Sequence, residues 1–384
     1  MSDASDGSSR RTSLTEIALL FLKLGATAFG GPAAHVALMQ DEVVRRRAWL
    51  SDEDFLDLFG ATNLIPGPNS TELAIHIGYR RRGVPGLVVA GASFIVPAML
   101  ATGCLAYAYV RYGARPEATA ILYGVKPVIV AIIVQALTSL LPKAASGAAL
   151  RVLGVLALVA AALGVGELTT IFLAGTIALL ATRRPDGGDH VPSKAVALAA
   201  TSLAGATAFA ELSLRSIFFV FLKIGSVLFG SGYVLLAFLR SELVVERGWL
   251  SESQLLDAIA AGQITPGPVF SSATFVGYVL AGPSGALVAT AGIFLPAFVF
   301  VALSAPIVPK LRASRRLAAF LDGVNVASLA LMAYVTFDLA RSTLIDATTI
   351  VLAISAAIGL IRFRLNSTWL IVAGALAGFF AYAR

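Results

Sequence analysis

Charge is scarce in this sequence: Lys, Arg, Asp and Glu together supply only 13% of its 384 residues. A soluble domain spends roughly 25% of its residues on charge, so a soluble globular fold is excluded. Cysteine is nearly absent too. The single Cys104 lies inside an apolar run and rules out an internal disulfide framework or a thiolate metal cluster. The three histidines, His35, His76 and His190, have no ligand spacing. No phosphate-binding glycine loop occurs, and no nucleophile–base pairing can be read. No enzyme activity, metal or cofactor is therefore expected, and without a nucleotide motif the energy for any work must come from an ion gradient.

What the chain has in abundance is apolar length. Hydrophobic residues make up 58% and the mean hydropathy is +0.84. Apolar runs cover 84–110, 117–142, 149–182, 216–239, 284–308, 317–340, 344–361 and 365–383. A spanning helix needs roughly 20 such residues, and 149–182 is long enough for two short helices turning at Gly164–Glu167. This predicts an all-α polytopic membrane protein. The net charge of +7 sits in short Lys/Arg clusters between the runs, where it orients helices and does not call for nucleic acid. Residues 1–13 are polar, without the order of a signal peptide, and read as a disordered tail.

The chain repeats itself, which is the most informative pattern in it. Phe21-Leu22-Lys23-Leu24-Gly25 returns as Phe221-Leu222-Lys223-Ile224-Gly225, Glu42 as Glu242, and Trp49-Leu50-Ser51 as Trp249-Leu250-Ser251. Pro66-Gly67-Pro68 returns as Pro266-Gly267-Pro268. Beyond these the register slips by one, and Gly78-Tyr79, Pro97 and Gly124-Val125 match Gly277-Tyr278, Pro296 and Gly323-Val324. Two homologous repeats, 14–182 and 214–384, are expected, joined by a linker over 183–213 that holds a short apolar helix.

Lys and Arg placement predicts that the repeats are inverted, with about five spans each. With 195–210 not spanning and the amino terminus outside, the larger share of basic residues, including Arg45–Arg47, Arg80–Arg82 and Lys310–Arg316, falls on the inside. If 195–210 spans, that bias nearly vanishes. Inverted repeats suit a carrier that opens alternately to each side of a midplane site.

Within each repeat the Pro-Gly-Pro separates two apolar arms of about 11 residues, each roughly 16 Å of helix and half a bilayer. Proline ends a helix, and glycine allows turns closed to other residues. A broken-helix, re-entrant hairpin is the expected structure, tolerated at membrane depth where it is buried or lines a cavity. The helix after the break begins with free amides and the positive end of its dipole, which suits an anion. Asn69, Ser70, Ser271 and Ser272 are placed to cap that helix or to donate to a ligand.

Lys23 and Lys223 stand in otherwise uncharged helices, and a lysine there faces protein or a water-filled cavity; snorkelling to the interface is the bland alternative. Gly30 and Gly31 lie two turns beyond Lys23, and Gly230 repeats Gly30. Glu72 is read as a helix-start cap or a proton carrier, with His76 one turn on, packed or titrating. Glu42 is expected to pair with Arg46 on the surface, and Glu242 likewise with Arg247. Asn63, Gln263, Lys126 and Asn325 are further candidates for a cavity.

The ordered set Phe21–Gly25, Phe29-Gly30-Gly31-Pro32, Trp49-Leu50-Ser51, Leu64-Ile65-Pro66-Gly67-Pro68-Asn69, Gly78-Tyr79 with Gly83, and Phe94–Pro97 resembles the chromate transporter family in its long, two-domain form. The resemblance covers nearly the whole chain. It implies export of chromate, with sulfate and related oxyanions as relatives, across the inner cell membrane, driven by membrane potential or a proton gradient. The expected partners are the oxyanion and the lipid bilayer; a homodimer is left open. A passive anion channel of the same architecture is the alternative. This chain carries Glu72 where many family members carry glutamine, which points to proton coupling, since a carboxylate repels an anion unless protonated or paired.

Overall fold

The computed structural model describes residues 12–29, 32–181, 211–229, 234–305 and 315–382. Gly30, Gly31, Gly230, the first eleven residues, the apolar stretch 195–210 and most of the cluster from Lys310 to Arg316 lie outside the described residues. Among those described there is helix and no strand. The first repeat runs α1 (Leu14–Thr27), α2 (Pro32–Gln40) continued by a π-helical turn at Asp41–Arg46, α3 (Asp52–Thr62), α4 (Asn69–Tyr112), α5 (Pro116–Ala144), α6 (Ala148–Ala162) and α7 (Glu167–Ala181). The second runs α8 (Leu214–Val227), α9 (Leu235–Leu239) with a π turn at Arg240–Glu246, α10 (Glu252–Ile264), α11 (Ser272–Ser304), α12 (Arg315–Thr343), α13 (Ala347–Ile361) and α14 (Ser367–Tyr382). The helix starts follow from their caps. Ser51 accepts from Asp54 N (3.0 Å), and the matched Ser251 accepts from Gln254 N (3.2 Å), each satisfying an orphan amide.

Four helices among the described residues are long and apolar enough to cross a membrane: α4, α5, α11 and α12. The expected turn inside 149–182 is present, between α6 and α7. Residues 216–239 behave differently from expectation. They form two helices, α8 and α9, and not one membrane-length rod.

The first repeat opens with two helical hairpins. Lys23 Nζ lies 2.7 Å from Glu42 Oε1, and Arg47 Nη1 lies 3.1 Å from Glu16 Oε1, so the chain returns along α1 through α2. Arg80 lies 3.6 Å from Asp54, which sets the start of α3 beside the end of the first arm of α4. Arg81 donates to Thr12 Oγ1 at 2.6 Å and to the Trp49 carbonyl at 3.1 Å. The start of α1 is therefore on the same side as Arg47 and Arg81. This corrects the charge-based assignment, which put the amino terminus opposite those arginines. The positive-inside count scores loops and takes each apolar run as a crossing, so it does not register the return of α2 along α1.

Helix α4 then bends through Arg82-Gly83, where Gly83 has φ +60° and ψ −145°, a conformation open to glycine. Gly282 repeats it in α11 with φ +62°. Gly78 packs against the backbone of Gly86, and Gly277 against that of Gly285, so both helices fold back on themselves at the same place. Gly25 abuts the Phe94 carbonyl, and Gly225 the matched Ile293 carbonyl. The duplicated sequence therefore folds through duplicated contacts.

The long arms of α4 and α11 run antiparallel. Gly91 touches the Phe298 ring, and Leu87 clusters with Ala297 and Val301. Towards its other end the long arm of α4 meets the short first arm of α11, Tyr107 on Tyr278 and Tyr109 on Phe275. The remaining helices interlock the repeats: α5 packs on α13 and α14, and α12 on α6 and α7. Gly124 of α5 lies against Gly374 and Gly378, and its match Gly323 lies against Ala174 and Ala178. Small residues permit this close approach, which drives helix association where no hydrophobic gain is available.

Candidate functional site

Both breaks are buried against the opposite repeat, tied crosswise. The Gly67 amide donates to the Leu228 carbonyl at 2.8 Å, and the Gly267 amide donates to the Ala28 carbonyl at 3.0 Å. Each Pro-Gly-Pro is thus anchored on the end of the first helix of the other repeat. Gly67 has φ +142° and Gly267 φ +87°, conformations that L side chains rarely adopt. The prolines on either side contribute no amide, so the glycine amide is the sole donor within each triplet.

Beyond the break the first turn of α4 exposes amides without intrahelical partners. Thr71 and Glu72 amides are taken by the Pro68 carbonyl at 2.8 and 3.0 Å. Asn69 Nδ2 reaches back to Asn63 Oδ1 at 2.8 Å, spanning the break. Ser70 is buried and lies 3.2 Å from His35 Nδ1, while His35 Nε2 lies 3.0 Å from the Ala28 carbonyl. A carbonyl only accepts, so His35 carries its proton on Nε2 and the Ser70 hydroxyl donates to Nδ1. In the second repeat Ser271 and Ser272 are fully buried. Thr102 of the first repeat donates to Ser271 (3.2 Å), and Ser272 donates to the Val269 carbonyl (2.9 Å).

Lys23 and Lys223 lie five residues before Ala28 and Leu228, about 7.5 Å along each helix. Both are engaged. Lys23 donates to Glu42 at 2.7 Å, and Lys223 donates to Glu242, which also takes Arg247. Glu42 additionally faces Arg46 (3.5 Å) and Arg47 (3.4 Å). The expected pairs with Arg46 and Arg247 are present; their expected surface position is corrected, since Glu42 and Glu242 are buried and each is also the counter-ion of its repeat's lysine. The Lys23 hydrogen bond, with Arg46 and Arg47 near, holds Glu42 below the usual carboxylate range. The signal was present in the sequence, since Lys and Glu recur together at the same offset. Sequence spacing favoured the i,i+4 arginine over a partner 19 positions away.

Glu72 is the outlier. Its side chain is fully buried, both carboxylate oxygens lack a hydrogen-bond partner, and Oε1 occupies the place a Gly67 side chain would need. His76, one turn on, is buried with Nε2 unpartnered. Sequence reasoning passed over His35, whose match at 235 is Leu, and the buried Asp257. Among the described residues no group of three or more His, Cys, Asp or Glu could hold a metal ion.

These features define an all-helical, multi-pass membrane protein with paired Pro-Gly-Pro breaks bonded across its two repeats. The chain belongs to the chromate transporter family, whose model matches residues 15–181 and 215–379. It is 34% identical to the chromate transport protein of Cupriavidus metallidurans over 377 residues, 96% of this chain and 93% of that one. It is also 34% identical to the chromate transport protein of Pseudomonas aeruginosa over 94% of this chain and 91% of the relative. The probable chromate transport protein of Synechococcus elongatus is 31% identical, with 95% of each chain covered. No solved structure matches.

Proposed function

We propose that this chain exports chromate and related oxyanions such as sulfate across the inner cell membrane, as a secondary carrier working by alternating access. The observation that carries the reading is the crossed pair of hydrogen bonds, Gly67 to Leu228 and Gly267 to Ala28. They bind each break to the opposite repeat, so that motion of one repeat reshapes both breaks. Repeats 14–182 and 214–384 are read as inverted, supported by the antiparallel α4 and α11 arms. The segments around each Pro-Gly-Pro are read as re-entrant, supported by the Asp54–Arg80 contact at the hairpin base. The face with Arg45–Arg47 and Arg80–Arg82 is taken as cytoplasmic.

The oxyanion sits between Pro66-Gly67-Pro68 and Pro266-Gly267-Pro268. Ser271 and the Asn69 and Ser70 amides, which precede those held by Pro68, donate to it, and Asn69, Ser70 and Ser272 turn to it from Asn63, His35 and the Val269 carbonyl. Lys23 and Lys223 balance its charge by exchanging Glu42 or Glu242 for the ligand. Glu72 and His76 carry the coupling proton, because an unpartnered carboxylate at that depth is costly as a bare charge. The exposed apolar faces of the outer helices suit lipid or a second copy in a homodimer.

The test is chromate and sulfate flux in proteoliposomes with and without an imposed pH gradient. Saturation, counterflow and gradient-driven accumulation are expected; linear, unsaturable flux would make the chain a passive channel. Glu72→Gln is expected to keep counterflow while losing the response to pH. Lys23→Ala and Lys223→Ala variants that insert and still transport at the parent rate would remove the charge role.

A further inference from the structure

The two hairpins around the Pro-Gly-Pro triplets match in sequence and differ in burial. In α3, Leu56 is 56% exposed and Asp57 and Asn63 are exposed. At the matched positions in α10, Leu256, Asp257 and Gln263 are all buried, Asp257 to 3%. Chemistry accompanies this asymmetry. Asp257 Oδ2 accepts from the Tyr109 hydroxyl at 3.0 Å, and Oδ1 lies 3.4 Å from Lys126 Nζ. Lys126 also donates to Ser253 on the same helix. Tyr109 and Lys126 belong to α4 and α5 of the first repeat, so a buried ion pair joins the repeats across the outer end of α10. The residue matching Lys126 is Asn325, so the first repeat's hairpin has no lysine at the equivalent position. Within the second repeat Arg240 lies 2.7 Å from Glu252 and 3.2 Å from Asp338; the matched Gln40 donates to Asp52 at 2.9 Å.

The geometry points to Lys126, Asp257 and Tyr109 as the latch of one gate: they seal the second hairpin's side while the first hairpin's side is open, and they part when the carrier reverses. The assignment rests on the alternating-access reading above. An inter-repeat pair suits the task because it is lost as a unit when the repeats move apart. Breaking one partner of a buried pair leaves an uncompensated charge, so the closed state is favoured until something displaces the lysine. A negatively charged oxyanion arriving from the open side is chemically able to do so.

Thiol labelling tests this without relying on transport. In full-length protein in detergent, with the exposed Cys104 changed by Cys104→Ser, single reporters Asn63→Cys and Gln263→Cys are exposed to a hydrophilic maleimide. The Asn63→Cys reporter is expected to label fast and the Gln263→Cys reporter slowly. Adding Asp257→Asn is expected to speed the second by about tenfold and slow the first, a reciprocal shift of population. The charge swap Lys126→Asp with Asp257→Lys is expected to restore the parent pattern. Unchanged rates in Asp257→Asn would overturn the latch, and so would a rise in both, which marks a loosened fold. If Asp257→Asn does not fold, Lys126→Met with the same reporters decides by the same criterion. Reciprocal labelling combined with channel-like flux would keep the latch and sink the carrier.

Discussion

Ala48 and Gly248 occupy the same turn before the repeated Trp-Leu-Ser, with φ +50° and +60°. Only the second position carries the residue that adopts this backbone freely. An L side chain there costs about 1–2 kcal/mol, so Ala48→Gly is expected to raise thermal stability in detergent by about 1 kcal/mol; a lower melting temperature would count against this. The two lysine–glutamate pairs should also respond unequally. Lys23 is 55% exposed, whereas Lys223 is 32% and Arg247 only 16%. Glu42→Gln leaves cations that water can reach, and is expected to cost about 1 kcal/mol or less. Glu242→Gln strands better-buried cations and should cost about 2–3 kcal/mol. Parallel thermal melts of the two variants check the order. The lysines were visible in the sequence as charges out of place. Glu42 and Glu242 were visible as repeated residues too, but not as the lysines' partners, because the fold brings Glu42 to Lys23 from 19 residues away.

At the scale of elements, glycine acts in two distinct ways. Gly83 at φ +60° meets no other atom where a Cβ would stand. Its requirement is purely conformational, and Gly83→Ala is expected to cost about 1–3 kcal/mol through backbone strain alone. Gly25 has an ordinary conformation, and a Cβ there would strike the Phe94 carbonyl. Gly25→Leu therefore acts by wedging α1 from α4, costing about 1–3 kcal/mol or more. Enlarging a neighbour cannot help, since the obstacle is backbone. Comparing Gly83→Ala with the matched Gly282→Ala by thermal melts tests whether both bends work alike. The bends were only half legible. Gly83 stood among the residues that carry the family resemblance, yet the unbroken apolar run from 84 onward gave no sign that the preceding arm doubles back along it.

At the scale of the molecule the repeats are interlocked, each long helix α5 or α12 holding the terminal helices of the other copy. Gly124 lies where any Cβ would meet the Gly374 carbonyl. Gly124→Val is expected to reduce the yield of monodisperse protein in size-exclusion chromatography, with Gly147→Val, in open space, as the tolerated control. Normal yield from both variants would contradict the interlock.

The sequence by itself determined the class, the duplication, the places where helices must break and the residues that resemble a known family. Each of these rests on the chemistry of single residues or on register along the chain, and neither needs a partner in space. Tertiary structure alone decided that 14–46 turns back, that each Pro-Gly-Pro answers to the opposite repeat, and that Glu42 neutralises Lys23. It also decided that Asp257 is buried against Lys126 while the matched Asp57 is exposed. Those outcomes depend on contacts between residues as far apart in sequence as Ala28 and Gly267, and two matched stretches of sequence can meet different neighbours.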